Sequence, residues 1–241
     1  MVLESAQLFL QPIVSVFSVL AAILSFRVLM KLSDGDGSEA GKEIRFVFQL
    51  LSFGFLLFAF AEIIYAVLVL SGLSSEISIA DLFWLVGYVL LISGYSYFSF
   101  FMYKKHGRLG EGIPLISAAF LFCSWITYYL LSTYVYGFQE GQSSLSVFLD
   151  YAYPIGSTLT FVAAISVFLF LGKLSSIGNS FLALAMANGF DFIGNTLYTY
   201  YVWNDTYGIP GLVSDVSFVL FYFSAAAGLY LLLKANPNAN V

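Results

Sequence analysis

Charged residues are scarce in this chain of 241 residues: they make up 10% of the sequence, with nine Lys or Arg and 14 Asp or Glu. Soluble domains contain about 25% charged residues, so an ordinary soluble enzyme is excluded. Nine basic residues are too few for a basic groove, which excludes nucleic acid as a partner. The single cysteine, Cys123, excludes a disulfide framework, and the single histidine, His106, excludes metal sites built from histidine clusters.

Apolar residues dominate instead, at 60% of the chain. They are concentrated in seven segments, each long enough to cross a bilayer as a helix: residues 8–30, 46–70, 79–103, 113–135, 147–171, 181–201 and 212–233. Helices are expected because backbone groups in lipid must be satisfied within the segment. The sequence predicts an all-α, multi-pass protein of the plasma membrane, with seven transmembrane helices in one domain, residues 1–241. Membrane lipids would surround it.

The basic residues predict the orientation of these helices. All nine fall in alternate loops or helix ends, on one side of a seven-helix arrangement: Arg27, Lys31, Lys42, Arg45, Lys104, Lys105, Arg108, Lys173 and Lys234. Basic residues mark the cytoplasmic side of a membrane protein. We therefore expect the N-terminus outside and the C-terminus in the cytoplasm.

The chain also contains an internal repeat. Residues 12–33 match residues 154–175 at a shift of 142 positions, with eleven of the 22 positions identical. Asp81, Tyr88 and Gly94 recur at a shift of 134, as Asp215, Tyr222 and Gly228. This predicts two parallel three-helix repeats, about residues 8–105 and about 147–234, joined by a linker helix at about 112–136. A binding site between such units is one interpretation. The other is a symmetric bundle whose interface is merely packed.

Polar side chains inside the predicted spans are the candidate site. The sixth segment carries a stripe at helical spacing and the second carries a shorter one: Asn188, Asp191, Asn195 and Tyr198, and Glu62 and Tyr65. The repeat aligns Glu62 with Asn195 and Tyr65 with Tyr198, so the stripes should face each other. Intramembrane acids are costly and often functional, which favours a pocket for a small amphipathic or cationic ligand, or a proton. The alternative is a set of structural interhelical hydrogen bonds.

Three further acids lie at predicted helix starts. Asp81, Asp150 and Asp215 open the third, fifth and seventh segments. Acidic side chains at helix N-termini cap unpaired N–H groups and complement the helix dipole. We therefore interpret these three acids as structural caps.

Two stretches resemble the membrane-embedded sensor regions that precede PAS, histidine-kinase and GGDEF modules in prokaryotes. Asp81-Leu82-Phe83-Trp84-Leu85-Val86-Gly87-Tyr88 is similar to the motif of one sensor helix, and Asp150-Tyr151-Ala152-Tyr153-Pro154-Ile155-Gly156 to that of another. Ser157 replaces the aspartate that ends the second motif. The resemblance implies a stand-alone, sensor-like unit that signals through a cytoplasmic partner protein, since the chain ends at Val241 without an output domain.

The topology is also similar to that of SWEET and PQ-loop carriers and of rhodopsins. Their signatures are absent: Gln11-Pro12 has a carrier motif in reverse order, and the last helix lacks an internal lysine for retinal, since Lys234 lies at its end. We expect no cofactor, no bound metal and no enzymatic activity. The leading hypothesis is a receptor-like or sensor-like protein that binds a small ligand from the outer side, or a lipid, between its units. A small-solute or cation transporter and a ligand-free scaffold are the alternatives.

Overall fold

The computed structural model describes residues 2–33, 39–73, 77–106, 113–135, 143–171, 177–203 and 207–235, and the described residues form seven helices without strands. The helices are α1 (Val2–Ser33), α2 (Glu39–Leu70), α3 (Ile79–His106), α4 (Ile113–Leu130, continued by a π-helical turn, Leu131–Val135), α5 (Ser144–Leu171), α6 (Gly178–Trp203) and α7 (Gly208–Lys234). Each contains one of the seven predicted segments. The prediction of an all-helical fold is therefore confirmed.

Six of the helices, all except α6, are long and apolar enough to cross a membrane. This indicates a multi-pass membrane protein. The exception, α6, has 26 residues and lies where a span was predicted, but asparagines, tyrosines and Asp191 lower its hydropathy. Half of its residues, including Asn188, Asp191 and Asn195, are buried among the other helices. These three polar side chains therefore lie inside the bundle.

Six helices form a closed ring from which α4 is excluded. Around the ring, α1 packs on α2, α2 on α3, α3 on α5, α5 on α6, α6 on α7 and α7 back on α1. Of the apolar stretch in α4, 17% is buried, against 33% to 44% in the five other spans. This outer helix is attached mainly to α5, where the hydroxyls of Thr127 and Thr158 lie 2.8 Å apart in a hydrogen bond.

The internal repeat recurs in the packing of the ring. A Cβ atom placed on Gly94 of α3 would lie 2.8 Å from Leu51 of α2, and one placed on Gly228 of α7 would lie 3.0 Å from Leu184 of α6. Leu51 and Leu184 are equivalent at the shift of 133 that relates α2 to α6, so both units use the same close glycine contact. The two contacts between units, α3 with α5 and α7 with α1, are also equivalent.

Basic side chains cluster at the end of the bundle where α1, α3 and α7 finish. There the ammonium group of Lys31 donates to the backbone carbonyls of Leu233 and Ala235, at 2.7 and 2.8 Å, and ties the end of α7 to α1. Cations at a helix C-terminus also complement its dipole. Arg108 and Lys173, which contributed to the predicted orientation, lie outside the described residues.

The interpretation of three acids as helix caps holds for one of them. Asp81 accepts a hydrogen bond from the backbone N–H of Ser78 at 2.6 Å, while the Ser78 hydroxyl accepts one from the N–H of Ala80 at 3.2 Å. This is a capping box. For Asp150 and Asp215 the interpretation is wrong, because α5 and α7 begin earlier than predicted, at Ser144 and Gly208, and neither has an acid in its first turn.

Candidate functional site

A cavity of about 90 Å³ lies inside the ring, toward the end where α1, α3, α5 and α7 begin. One water needs about 10–15 Å³ of such space, so the cavity has room for several waters or a small ligand. Five of the six ring helices contribute most of its walls, and α5 contributes Tyr153. The lining residues are Gln7, Gln11, Phe58, Glu62, Tyr65, Ser78, Asp81, Trp84, Tyr88, Tyr153, Asp191, Asn195, Tyr198, Tyr201, Asp215, Phe218 and Tyr222.

Glu62 of α2 receives hydrogen bonds from three different helices. The hydroxyl of Tyr222 and the indole N–H of Trp84 donate to its Oε1, at 2.8 and 3.2 Å, and the amide of Gln11 donates to its Oε2 at 2.9 Å. The side chain is only 5% exposed. A carboxyl buried so deeply needs such partners, because burying it without them is costly.

Asp191 of α6 is the second buried carboxyl, at 2% exposed. The hydroxyl of Tyr88 donates to its Oδ2 at 2.8 Å, and the amide of Asn195 donates to its Oδ1 at 3.0 Å. The same amide reaches the Tyr88 hydroxyl at 2.9 Å. Asp191, Asn195 and Tyr88 therefore form one connected network across two helices.

The two networks are reciprocal links between the repeat units. Tyr88 of the first unit donates to Asp191 of the second, and its equivalent, Tyr222 of the second unit, donates to Glu62 of the first. The ring of Phe58 lies between these tyrosines, with centroids 5.0 Å from Tyr88 and 6.5 Å from Tyr222. A ligand that enters the cavity would meet the groups that join the two units.

Two further carboxyls lie nearer the mouth of the cavity, and each accepts from a tyrosine. The Tyr153 hydroxyl donates to Asp81 Oδ1 at 2.5 Å, and Tyr207 donates to Asp215. In the described part of the chain, the lining therefore carries four acids and no lysine or arginine. Four acids and several ring faces favour a cation over an anion.

The structure brings five of the six predicted site residues to this cavity: Glu62, Tyr65, Asp191, Asn195 and Tyr198. The sixth, Asn188, lies one helical turn deeper. It is 1% exposed and its amide donates to the backbone carbonyl of Leu184 at 2.8 Å and toward the Tyr95 hydroxyl at 3.4 Å. The stripe on α6 thus begins below the cavity and ends at its mouth.

The residues that the stripe analysis missed come mainly from α3, α5 and α7. Asp81, Tyr88, Asp215 and Tyr222 are recurring positions of the repeat that line the cavity without belonging to either stripe. That signal would have found them, because equivalent positions of two units around one axis meet at that axis. Gln11, at the start of α1, had no such signal.

Metal binding gains no support from the geometry. Within the described ranges, no group of three or more His, Cys, Asp or Glu side chains could hold a metal ion. Each acid instead accepts hydrogen bonds from one or more uncharged donors. The arrangement suits a ligand that is bound by dispersed charge and ring faces.

Comparisons with known proteins find no family model, no curated protein and no solved structure that matches this chain. The resemblance to sensor regions thus remains a prediction. The function must be argued from the cavity itself.

Proposed function

We propose that the chain is a receptor-like or sensor-like membrane protein that binds a small ligand between its two parallel helical units. One observation carries the proposal: the cavity lies where Tyr88 and Tyr222 link each unit to the carboxyl of the other. A ligand that competes for these hydrogen bonds changes the free energy of the contact between the units. It can therefore shift the population of two arrangements of the bundle.

Signal transfer would run along the helices that form the contacts between units. The α7–α1 contact reaches from Asp215 and Tyr222 beside the cavity to Lys31, which holds the other end of α7. With the N-terminus outside, as the basic residues indicate, the cavity opens to the outer side and Lys31 lies at the cytoplasmic side. A shift of α7 would then be presented to a cytoplasmic partner protein.

The packing below the cavity supports a receptor over an open pathway. Tyr95 and Phe98 of α3 and Phe181 and Leu184 of α6 are each at most 1% exposed. The rings of Phe98 and Phe181 lie 5.3 Å apart, centroid to centroid. These side chains fill the bundle between the cavity and the end that carries Lys31.

A small-solute or cation transporter is the second candidate, and the repeat favours it. The contacts α3–α5 and α7–α1 are equivalent, and the cavity lies between them. Carriers built from repeats use such a central site and move one unit against the other. Rocking about the cavity would have to open the packed layer around Phe98 and Phe181.

The experiment that tests the proposal is native mass spectrometry of the full chain, released from detergent, as wild type, Asp191→Asn and Glu43→Gln. Glu43→Gln is the matched control, because Glu43 accepts from Tyr97 far from the cavity. We expect a discrete adduct on the wild type and the control that Asp191→Asn loses. A bare mass for all three proteins would instead overturn the proposal.

Flux separates the two candidates once an adduct is identified. The receptor predicts that proteoliposomes containing the wild type bind the compound without accumulating it. The transporter predicts uptake that Asp191→Asn reduces at least tenfold and that Glu43→Gln leaves intact. Uptake by the wild type would overturn the receptor proposal.

A further inference from the structure

The mouth of the cavity differs at the two contacts between the units. At the α3–α5 contact it is formed by Tyr65, Trp84, Tyr153 and Asp81. The repeat places Tyr198, Phe218, Gln11 and Asp215 at the equivalent positions of the α7–α1 contact. The first set therefore has three electron-rich rings beside a carboxyl, whereas the second has an amide in place of one ring and a phenyl in place of the indole.

The three rings of the first set stand at steep angles to one another. The ring centroids of Tyr65 and Trp84 are 5.5 Å apart at 61°, and those of Trp84 and Tyr153 are 6.1 Å apart at 83°. All three rings line the same cavity, and their planes point in different directions. This is the arrangement with which proteins bind alkylated ammonium groups, since each ring face attracts a cation.

Hydrogen bonds hold these rings in place before any ligand arrives. The indole N–H of Trp84 donates to Glu62 at 3.2 Å, and the Tyr153 hydroxyl donates to Asp81 at 2.5 Å. Asp81 is itself fixed by the backbone of Ser78 at 2.6 Å. Preorganised rings lose little conformational entropy on binding, which increases affinity.

The same hydrogen bonds select the chemical class of the ligand. The donors of Trp84 and Tyr153 are already directed at carboxyl groups, so the box offers ring faces and carboxylate oxygens. An anion would meet four acids, and a sugar would have to replace existing donors. A hard metal ion prefers several carboxylate oxygens together, and the described residues hold no metal-binding group of three or more Asp, Glu, His or Cys side chains.

We propose that Tyr65, Trp84, Tyr153 and Asp81 form an aromatic box that binds the head group of a small alkylated ammonium ion. The proposal rests on the proposed ligand-binding function and names the ligand class of that site. All four side chains are half-buried. Glu62 and Asp191 lie deeper and add negative charge behind the box.

Isothermal titration of the full chain in detergent tests the box, with choline chloride as the probe and 3,3-dimethylbutan-1-ol as the uncharged molecule of the same shape. We expect choline to bind at least tenfold more tightly than the alcohol, because ring faces and carboxylates attract its positive charge. Trp84→Leu should weaken choline binding about tenfold. Trp125→Leu, the same change on the exposed face of α4, should leave it within about twofold.

Two more variants keep the test decisive. Trp84→Phe retains a ring face without the N–H and should keep choline affinity within about threefold, even if Trp84→Leu does not fold. Asp81→Asn removes the charge but keeps one oxygen that can accept from the N–H of Ser78, and its NH2 group can donate to the Tyr153 hydroxyl. It should weaken choline about tenfold. Equal binding of choline and the alcohol, or equal losses in Trp84→Leu and Trp125→Leu, would overturn the box.

Failure of the box is distinguishable from failure of the proposed function. If choline does not bind but the wild type carries an uncharged or anionic adduct that Asp191→Asn removes, the cavity still binds a ligand and the ammonium class is wrong. If neither choline nor any adduct is found, both proposals fail.

Discussion

The helices α2 and α6 hold equivalent places in the two repeat units but carry different side chains toward the cavity. From the centre of the bundle outward, α2 has Phe55, Phe58, Glu62 and Tyr65, and α6 has Asn188, Asp191, Asn195 and Tyr198. The outermost position is a tyrosine in both. The positions below it have diverged, and the unit that contains α6 has become more polar.

The divergence places the two carboxyls at different levels. Glu62 is equivalent to Asn195, and Asp191 is equivalent to Phe58, so the acids are staggered by about one helical turn. The stagger keeps the two most deeply buried acids off equivalent positions, whereas the two acids at equivalent positions of α3 and α7 lie nearer the mouth of the cavity. Carboxylates repel each other more strongly in a medium of low dielectric constant than near water. Each unit therefore has one deeply buried acid and one tyrosine that donates to the buried acid of the other unit.

The closest packing also differs between the units, and this difference predicts the largest effect. A Cβ on Gly228 would lie 2.8 Å from the backbone oxygen of Ser180, whereas a Cβ on Gly94 would meet the side chain of Leu51 at that distance. Gly228→Ala should cost about 2–3 kcal/mol, because a backbone cannot turn aside as a side chain can. Gly94→Ala should stay within about 1 kcal/mol of the wild type, since Leu51 can change rotamer.

Reversible unfolding in mixed micelles measures both free energies of unfolding. The two alanine variants are controls for each other, because both gain the same helix propensity. Equal losses would show that the α2–α3 and α6–α7 contacts are equally rigid, and the comparison between the units would then fail at this position.

The next largest effect concerns the two tyrosines that each donate a hydrogen bond to the buried acid of the other unit, Tyr88 and Tyr222. Tyr88→Phe removes one of two side-chain donors to Asp191 and one of the three acceptors of the Asn195 amide, and should cost about 2 kcal/mol. Tyr222→Phe removes one of three donors to Glu62 and should cost about 1 kcal/mol, since Trp84 and Gln11 remain.

A double-mutant cycle identifies the source of the larger cost. In the Asp191→Asn background, Tyr88→Phe should lose much of its effect, because the buried carboxyl that needs the donor is gone. The same free energies of unfolding serve as the measurement. An undiminished loss in that background would assign the role of the Tyr88 hydroxyl to its hydrogen bond with the Asn195 amide instead.

The helical fold was predictable because a long apolar segment with few charges satisfies its backbone hydrogen bonds in lipid by forming a helix. The position of α4 was not predictable, since an apolar helix of one and the same composition can pack either inside a ring of helices or on its outside. Segment starts were also less certain: Gly208 and Ser144 begin helices earlier than apolarity alone indicated. That error led to the wrong interpretation of Asp150 and Asp215 as caps.

The candidate site was predictable to the extent that its residues share one helix. Asp191, Asn195 and Tyr198 follow helical spacing and line one cavity, as the stripe indicated. Trp84 and Tyr153 come from two other helices, and their meeting depends on the α3–α5 contact, which spacing within one helix does not encode. The ring faces of the site therefore became visible only in three dimensions.

The smallest predicted effect concerns how α3 and α7 begin. Ser78 and Asp81 form a capping box at the start of α3, whereas the position equivalent to Ser78 is Leu212, already inside α7 because that helix begins at Gly208. Ser78→Ala should cost about 1 kcal/mol, since the N–H of Ala80 loses its acceptor. Ser78→Asn, which restores a side-chain acceptor without placing a second charge beside Asp81, should recover most of it, as followed by the free energy of unfolding. A cost below about 0.3 kcal/mol for Ser78→Ala would mean that Asp81 alone fixes the start of α3, and the difference between the two helix starts would carry no energetic weight.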